Sequence, residues 1–133
     1  MSGDLRTTGV ILFAHGSSVE EANQGVRDLA RQVEEGGPYP FFRAAFLESA
    51  HPDLGGAVAL AAAARLSRVI VIPYFLTLGI HLRHDLPNLI APLKRRYPQV
   101  RIESGKSLEG HPQMPAIILE RAEEVLRASE VNP

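Results

Sequence analysis

The chain contains no cysteine. Disulfides, thiolate metal sites and cysteine nucleophiles are excluded, so any metal must be met by nitrogen and oxygen alone. An excess of charge of one sign is also lacking: 14 Lys and Arg stand against 15 Asp and Glu, for a formal net charge of -1. Such a balance gives no reason to expect nucleic acid or an anionic membrane surface as a partner. No uninterrupted apolar run is long enough to span a bilayer, and Met1 to Thr8 lacks the apolar core of a secretory leader. The expected address is the cytoplasm. What remains is ordinary for a soluble globular chain, with 133 residues, 45% apolar and 22% charged, enough for one core. A single domain over 1–133 is expected, with its ordered core at about 9–127.

One stretch organises the rest. Val69-Ile70-Val71-Ile72-Pro73 is a β-branched run that reads as a strand buried on both faces. Pro73 cannot donate to a ladder, so the strand should end there. Instead of turning polar, the chain continues through Tyr74, Phe75, Leu76, Thr77, Leu78, Gly79 and Ile80 to His81. An apolar loop at a strand's carboxyl end needs a cover, either a flat apolar ligand or another subunit. A histidine at its tip suggests chemistry.

Gly9 to Ala14 reads as a first buried strand, ending at His15-Gly16-Ser17-Ser18. Val26, Leu29, Ala30 and Val33 then recur at helical spacing until Gly36-Gly37-Pro38. Phe41 to Phe46 reads as a second strand, leading to Glu48, and Asp53 should cap an alanine-rich helix through Leu66. A third helix is expected from about Asp85 to Arg96, with Pro87 in its first turn. Val100 to Glu103 is a short, more polar fourth strand. The last helix should span roughly Met114 to Arg127, with Ile118, Ala122, Val125 and Leu126 on its inner face.

This alternation predicts an α/β fold: a doubly wound, four-stranded parallel sheet of flavodoxin-like order 2-1-3-4, with helices on both faces. Right-handed crossovers leave few other options. In that order strands one and three are neighbours, the winding reverses between them, and ligands bind at that switch point. His15 and His81, distant in sequence, are thereby expected at one crevice. Glu48 on the same edge can add a carboxylate. Imidazole suits Co, Fe, Ni and Zn and is also a general base near neutral pH. Such a donor set is fit to hold a metal briefly and release it. Gly16 permits close backbone approach, and Ser17 and the amides after it can meet an anion. His51 and His111 read as turn residues, and His84 as a secondary ligand or substrate contact.

Phe13-Ala14-His15-Gly16-Ser17, Ala45-Phe46-Leu47-Glu48, the run from Val71 to Arg83, and Ser107-Leu108-Glu109-Gly110-His111-Pro112 stand in this order along the chain. Together they resemble the CbiX family of sirohydrochlorin chelatases, in the short single-lobe form, from about Gly9 to Leu126. The resemblance implies the same chelatase-like lobe and a homodimer. It also implies insertion of Co2+, or Fe2+ in siroheme synthesis, into sirohydrochlorin for cobalamin or siroheme biosynthesis. The metal, Co2+, Fe2+ or Ni2+, would be substrate, with no tightly bound cofactor. By position His15 would be proton acceptor and metal ligand, and His81 the second ligand. Glu48 and the loop Phe75-Leu76-Thr77-Leu78-Gly79-Ile80 would contact the macrocycle. Arg83, Lys106 and serine hydroxyls would meet its peripheral carboxylates. One departure is His84, where the family commonly has a basic or acidic residue before the aspartate of its helix start; it leaves open an altered metal preference or a pH-dependent contact.

Two rival readings have other chemistry. A non-catalytic tetrapyrrole or metal carrier would need the same pocket without turnover. Phosphoryl transfer through His15 would need an arginine clamp, yet Ala14 precedes it and no arginine follows until Arg27.

Overall fold

The computed structural model describes residues 4–131, with the side chains of Ile80, His81 and Val131 outside that description. After a 3-10 turn, Leu5–Thr7, strands and helices alternate. They are β1 Thr8–Ala14, α1 Glu20–Gly36, β2 Phe41–Phe46, α2 Leu54–Ala63, β3 Arg68–Pro73, α3 Ile80–Arg96, β4 Arg101–Ser104 and α4 Met114–Val131. The four strands form one parallel sheet in the order β2-β1-β3-β4. The doubly wound topology expected from the alternation is the one observed.

Every residue of β1 is buried, which is why its sequence is a continuous apolar run rather than an alternating one. Ile11 and Phe13 point to the side covered by α2 and α3, where they meet Ala45, Val71, Leu86 and Ile90. Val10, Leu12 and Ala14 point the other way, with Phe42, Ala44 and Phe46, under Val26, Leu29 and Ala30 of α1. The alanines of α2 let that helix lie close: Ala57, Val58 and Ala61 are fully buried. Asp53 caps it, accepting the Gly56 N–H at 2.7 Å. The helix ends at Ala63 rather than Leu66 because Arg65 enters the left-handed region at φ 62°.

Two further elements depart from expectation. The third helix begins at Ile80, ahead of Asp85, with Gly79 extended at its N-cap. His81 therefore lies, by its backbone, in the first turn of α3 and not at the tip of a loop; its side chain is outside the described residues. Pro87 and Pro92 both sit inside this helix and both are exposed. The carbonyls that they leave unpaired thus lie on the solvent side, where the loss is smallest.

The second departure is α4. Its expected inner face is not buried: Ile118, Val125 and Leu126 are each about two-thirds exposed, Ala122 is exposed too, and so is every residue from Pro115 to Glu130. The amphipathic stripe was read correctly, but it is not laid on this chain's own lobe. Among the described residues no helix is long and apolar enough to cross a membrane.

The packing sets a stability contrast. Ile11, with no exposed surface, has nowhere to relax on truncation, so Ile11→Ala should lower the unfolding free energy by about 2–5 kcal/mol. Leu60→Ala, on the exposed side of α2, should change it by roughly 0.5 kcal/mol or less. Urea unfolding of both variants measures the difference; equal effects would contradict this placement of the core.

Candidate metal and substrate site

The ladder between β1 and β2 does not stop where the strands do. Leu47 N–H donates to Ala14 C=O at 2.9 Å and Glu48 N–H donates to His15 C=O at 3.0 Å. The first is the ladder bond of the last pair, Ala14↔Phe46; the second slips one residue beyond that register, so the first residue after β1 faces the second after β2. Their side chains meet: His15 Nε2 lies 2.8 Å from Glu48 Oε1. Both are well exposed, at 59% and 62%, so the pair is open to a ligand. Sequence reasoning placed both residues on this edge without pairing them.

Gly16 makes the approach possible. Its φ is +92°, and a Cβ there would stand 1.7 Å from Glu48 C=O, well inside any tolerable contact. Only glycine fits both the conformation and the space.

Asn23 holds the same loop from beneath, and sequence reasoning passed over it. Only 2% exposed, it accepts the Ser17 N–H at 2.9 Å and donates to the Ser17 C=O at 2.8 Å. It also donates to Glu20 at 3.3 Å. The signal was available: Asn23 lies three residues before Val26 on the inward stripe of α1, where a polar residue needs a partner. Glu20, bonded first by Arg27 and then by Asn23, has its carboxyl held below the ordinary range. That contribution is present above the ordinary glutamate range and is lost as pH falls through the lowered value. The Ser17 hydroxyl accepts the Val19 N–H at 3.0 Å at the entry to α1, which leaves its own hydrogen to donate.

The loop after β3 is partly as expected. Tyr74, Phe75 and Leu78 are half-buried, while Leu76, Thr77 and Gly79 are exposed, Leu76 at 63%. Leu78 N–H donates to Glu109 at 2.9 Å, and Arg83 reaches toward both the Leu78 carbonyl and Glu109. Glu109, which was not singled out as a site residue, thus straps the loop after β3 to the one after β4. Beside this strap is a cleft of about 340 Å³, floored by Leu78, Leu86 and Ile90 and edged by Arg83, Lys106 and Ser107. Neither His15 nor Glu48 lines it. His84 is exposed. His111 accepts the Gln113 N–H through Nδ1 at 3.0 Å and is a turn residue, as expected.

Among the described residues no third His, Asp or Glu joins His15 and Glu48 in a metal-sized cluster. The phosphate-clamp alternative fares worse. Arg27 is committed to Glu20 at 2.5 Å and to the His51 carbonyl at 3.2 Å, with its guanidinium over the Phe46 ring.

Gly16→Ala tests whether the backbone sets the His15–Glu48 contact. The added methyl should drive the two loops apart and lower stability by on the order of 1–3 kcal/mol. A crystal structure of the variant should show the side chains separated; an unchanged 2.8 Å contact would contradict the role given to Gly16.

Comparison with known proteins agrees with this architecture. The CbiX family profile matches residues 9–125. A sirohydrochlorin cobaltochelatase from Methanopyrus kandleri is 33% identical over 81 residues, spanning 61% of this chain and 57% of that protein. The chloroplastic sirohydrochlorin ferrochelatase of Arabidopsis thaliana is 32% identical over 67% of this chain but only 40% of its own length. The chain thus spans about half the length of these curated relatives. A CbiX protein from Marinobacter aquaeolei VT8 superposes with a TM-score of 0.81 at 29% identity, covering 91% of this chain and 98% of that one. The sirohydrochlorin chelatase SirB from Bacillus subtilis subspecies spizizenii, in complex with cobalt, shares the fold. Its TM-score is 0.82 at 24% identity, over 90% of this chain and 51% of SirB. With the family profile spanning nearly all of the sheet and helices, the chain belongs to the CbiX family.

Proposed function

We propose that the protein is a sirohydrochlorin chelatase that inserts a divalent metal, Co2+ or Fe2+, into the tetrapyrrole. One contact carries the reading: His15 Nε2 and Glu48 Oε1, 2.8 Å apart and open to solvent at the sheet's switch-point edge. That spacing suits a shared proton. It suits a shared cation equally well, because two donors each ~2.1 Å from a metal and 2.8 Å apart subtend roughly 84°, close to the right angle between neighbouring octahedral ligands.

Metallation needs both capacities. A dication enters the ring and two pyrrole N–H protons leave. His15 and Glu48 hold the cation first; once it has passed to the ring nitrogens, the vacated imidazole nitrogen takes up one displaced proton and the vacated Glu48 carboxylate the other, each then passing to solvent. The same atom never serves both at once. His81, whose backbone opens α3 on the neighbouring strand, is the proposed second imidazole ligand. The apolar loop from Phe75 to Ile80 is the proposed bed for the ring. Ser17 and His84 are proposed as further substrate contacts, and Arg83 and Lys106, at the edge of the cleft, as partners for peripheral carboxylates. The protein is proposed to work as a homodimer, since the apolar residues of its last helix are bare.

Steady-state absorbance with sirohydrochlorin and each of Co2+, Fe2+ and Ni2+ tests the reading. Turnover should exceed one ring per chain many times over; a change that stops at stoichiometry would mean a carrier. His15→Ala should lower kcat by about 10²–10⁴-fold, the range for loss of a positioned proton acceptor. Glu48→Gln and His81→Ala should each lower it at least roughly tenfold, with far-ultraviolet circular dichroism unchanged. Near-normal rates in these variants would remove their assigned roles.

A further inference from the structure

We propose that Glu109 is a positioning residue: through the Leu78 N–H it fixes where the first turn of α3, which carries His81, stands relative to His15 and Glu48. Resting on the chelatase reading above, in which His81 is the second imidazole ligand, this role names what holds that ligand's turn in place.

The start of α3 has little of its own to hold it. A helix start normally gains a side-chain acceptor for one of its orphan N–H groups. This one does not: Gly79 at the N-cap brings no side chain, and the first turn contains no acid. One turn further on, Pro87 has no N–H to return to the Arg83 carbonyl. The first turn is thus tied to the rest of the helix by one bond fewer. The segment leading into it is equally loose. Tyr74 N–H donates to Phe13 C=O at 2.7 Å where the segment leaves β3. From there to Gly79, among the described residues, the remaining hydrogen bonds of the backbone all fall on Leu78.

Both of those bonds are made with charged side chains. Leu78 N–H donates to Glu109 at 2.9 Å, from 31 residues away in sequence, and Leu78 C=O accepts from Arg83 at 3.5 Å. Glu109 also stands 3.8 Å from Arg83. The one carboxylate therefore reaches the chain on both sides of the N-cap, at Leu78 just before it and at Arg83 one turn after it. His81 lies between these two points in sequence.

A strap holds only if its own base is firm. The loop bearing Glu109 leaves β4 through Gly105, whose N–H donates to Val71 C=O at 2.8 Å. It closes in a turn where His111 N–H donates to Leu108 C=O at 3.1 Å. Gly110, at φ +74°, supplies the left-handed step inside that turn. His111 C=O and Nδ1 then accept the N–H groups of Met114 and Gln113, each at 3.0 Å. Leu78 is held from the other side as well, half-buried on the cleft floor with Leu86 and Ile90. Groups drawn from separate loops must be placed to about 0.5 Å to share a cation. Glu109 does this for the His81 turn, as Gly16 and Asn23 do for the loop of His15.

Glu109→Ala removes the strap, whereas Glu109→Gln keeps an oxygen for the Leu78 N–H and loses only the charge. The side chain is 41% exposed, so neither change should unfold the protein. Amide hydrogen exchange at Leu78, followed by NMR, reads the strap without substrate: it should be at least about fivefold faster in Glu109→Ala. Co2+ affinity by calorimetry, and kcat with sirohydrochlorin and Co2+, should each fall about 10–100-fold in that variant. The KM for sirohydrochlorin should change less than about threefold, because the ring itself is not touched. Glu109→Gln should stay within about threefold of the unmodified chain throughout, since a part-exposed ion pair contributes little. Unchanged exchange at Leu78 overturns the strap. Faster exchange with near-normal Co2+ affinity and kcat overturns the positioning role and leaves the chelatase reading standing. A rise in KM alone, or equal losses in both variants, also overturns it, since these report a substrate contact and the charge respectively. If the unmodified chain turns over with no metal, the chelatase reading falls, and the Co2+ affinities of the three proteins still decide what Glu109 does.

Discussion

The two hydrogen bonds that prolong the β1–β2 ladder beyond the strands, Leu47 to Ala14 and Glu48 to His15, are the constraint on which the site depends. A regular parallel ladder would set His15 opposite Leu47; the slip of one residue at Gly16 sets it opposite Glu48 instead. His15 and Glu48 are brought together by backbone register before their side chains interact. Gly16, pressed against the Glu48 carbonyl, keeps the two strands from spreading there. Asn23 ties the following residue down from α1. The exposed pair is therefore held by two backbone bonds at the sheet's end and one buried amide, a support of the kind that fixes an accessible side-chain pair.

The same sheet explains why the remaining candidate groups collect nearby. Strand order 2-1-3-4 sets β1 beside β3, so the chain leaving β3 opens onto the edge that carries His15. The cleft edged by Arg83 and Lys106 lies farther along, toward β4. In the proposed function, the His15–Glu48 pair at one end would handle the metal and the basic, apolar-floored cleft at the other would take the carboxylated macrocycle. The Glu109 strap to Leu78 links the loops at the cleft end.

Much of this was legible in the residues. The β-branched and aromatic runs marked the strands, and the alternation with helical spacing left one economical strand order. Only β1 is buried at every position, however: β3, expected to be buried on both faces, leaves Ile70 and Ile72 half-buried because α1 lies mainly over β1 and β2. His15 and Glu48 stood out as chemistry-bearing residues at strand ends. The start of α3 did not, because Pro87 invited placement in a first turn, whereas two exposed prolines inside one helix were tolerable here. Asn23 was overlooked by reading the α1 stripe for apolar residues only. The stripe on α4 was plain, but hydrophobic burial has no direction of its own. A sequence can require that Ile118 and Val125 be covered without saying which chain supplies the cover.

The central claim is that His15 and Glu48 exchange their shared proton for a shared metal. Anomalous diffraction at the cobalt edge, from crystals soaked in Co2+, measures this directly. The account predicts a peak between His15 Nε2 and Glu48 Oε1, ~2.1 Å from each, lost in Glu48→Gln crystals. A strong cobalt peak elsewhere on the chain, with the 2.8 Å contact undisturbed, would contradict it.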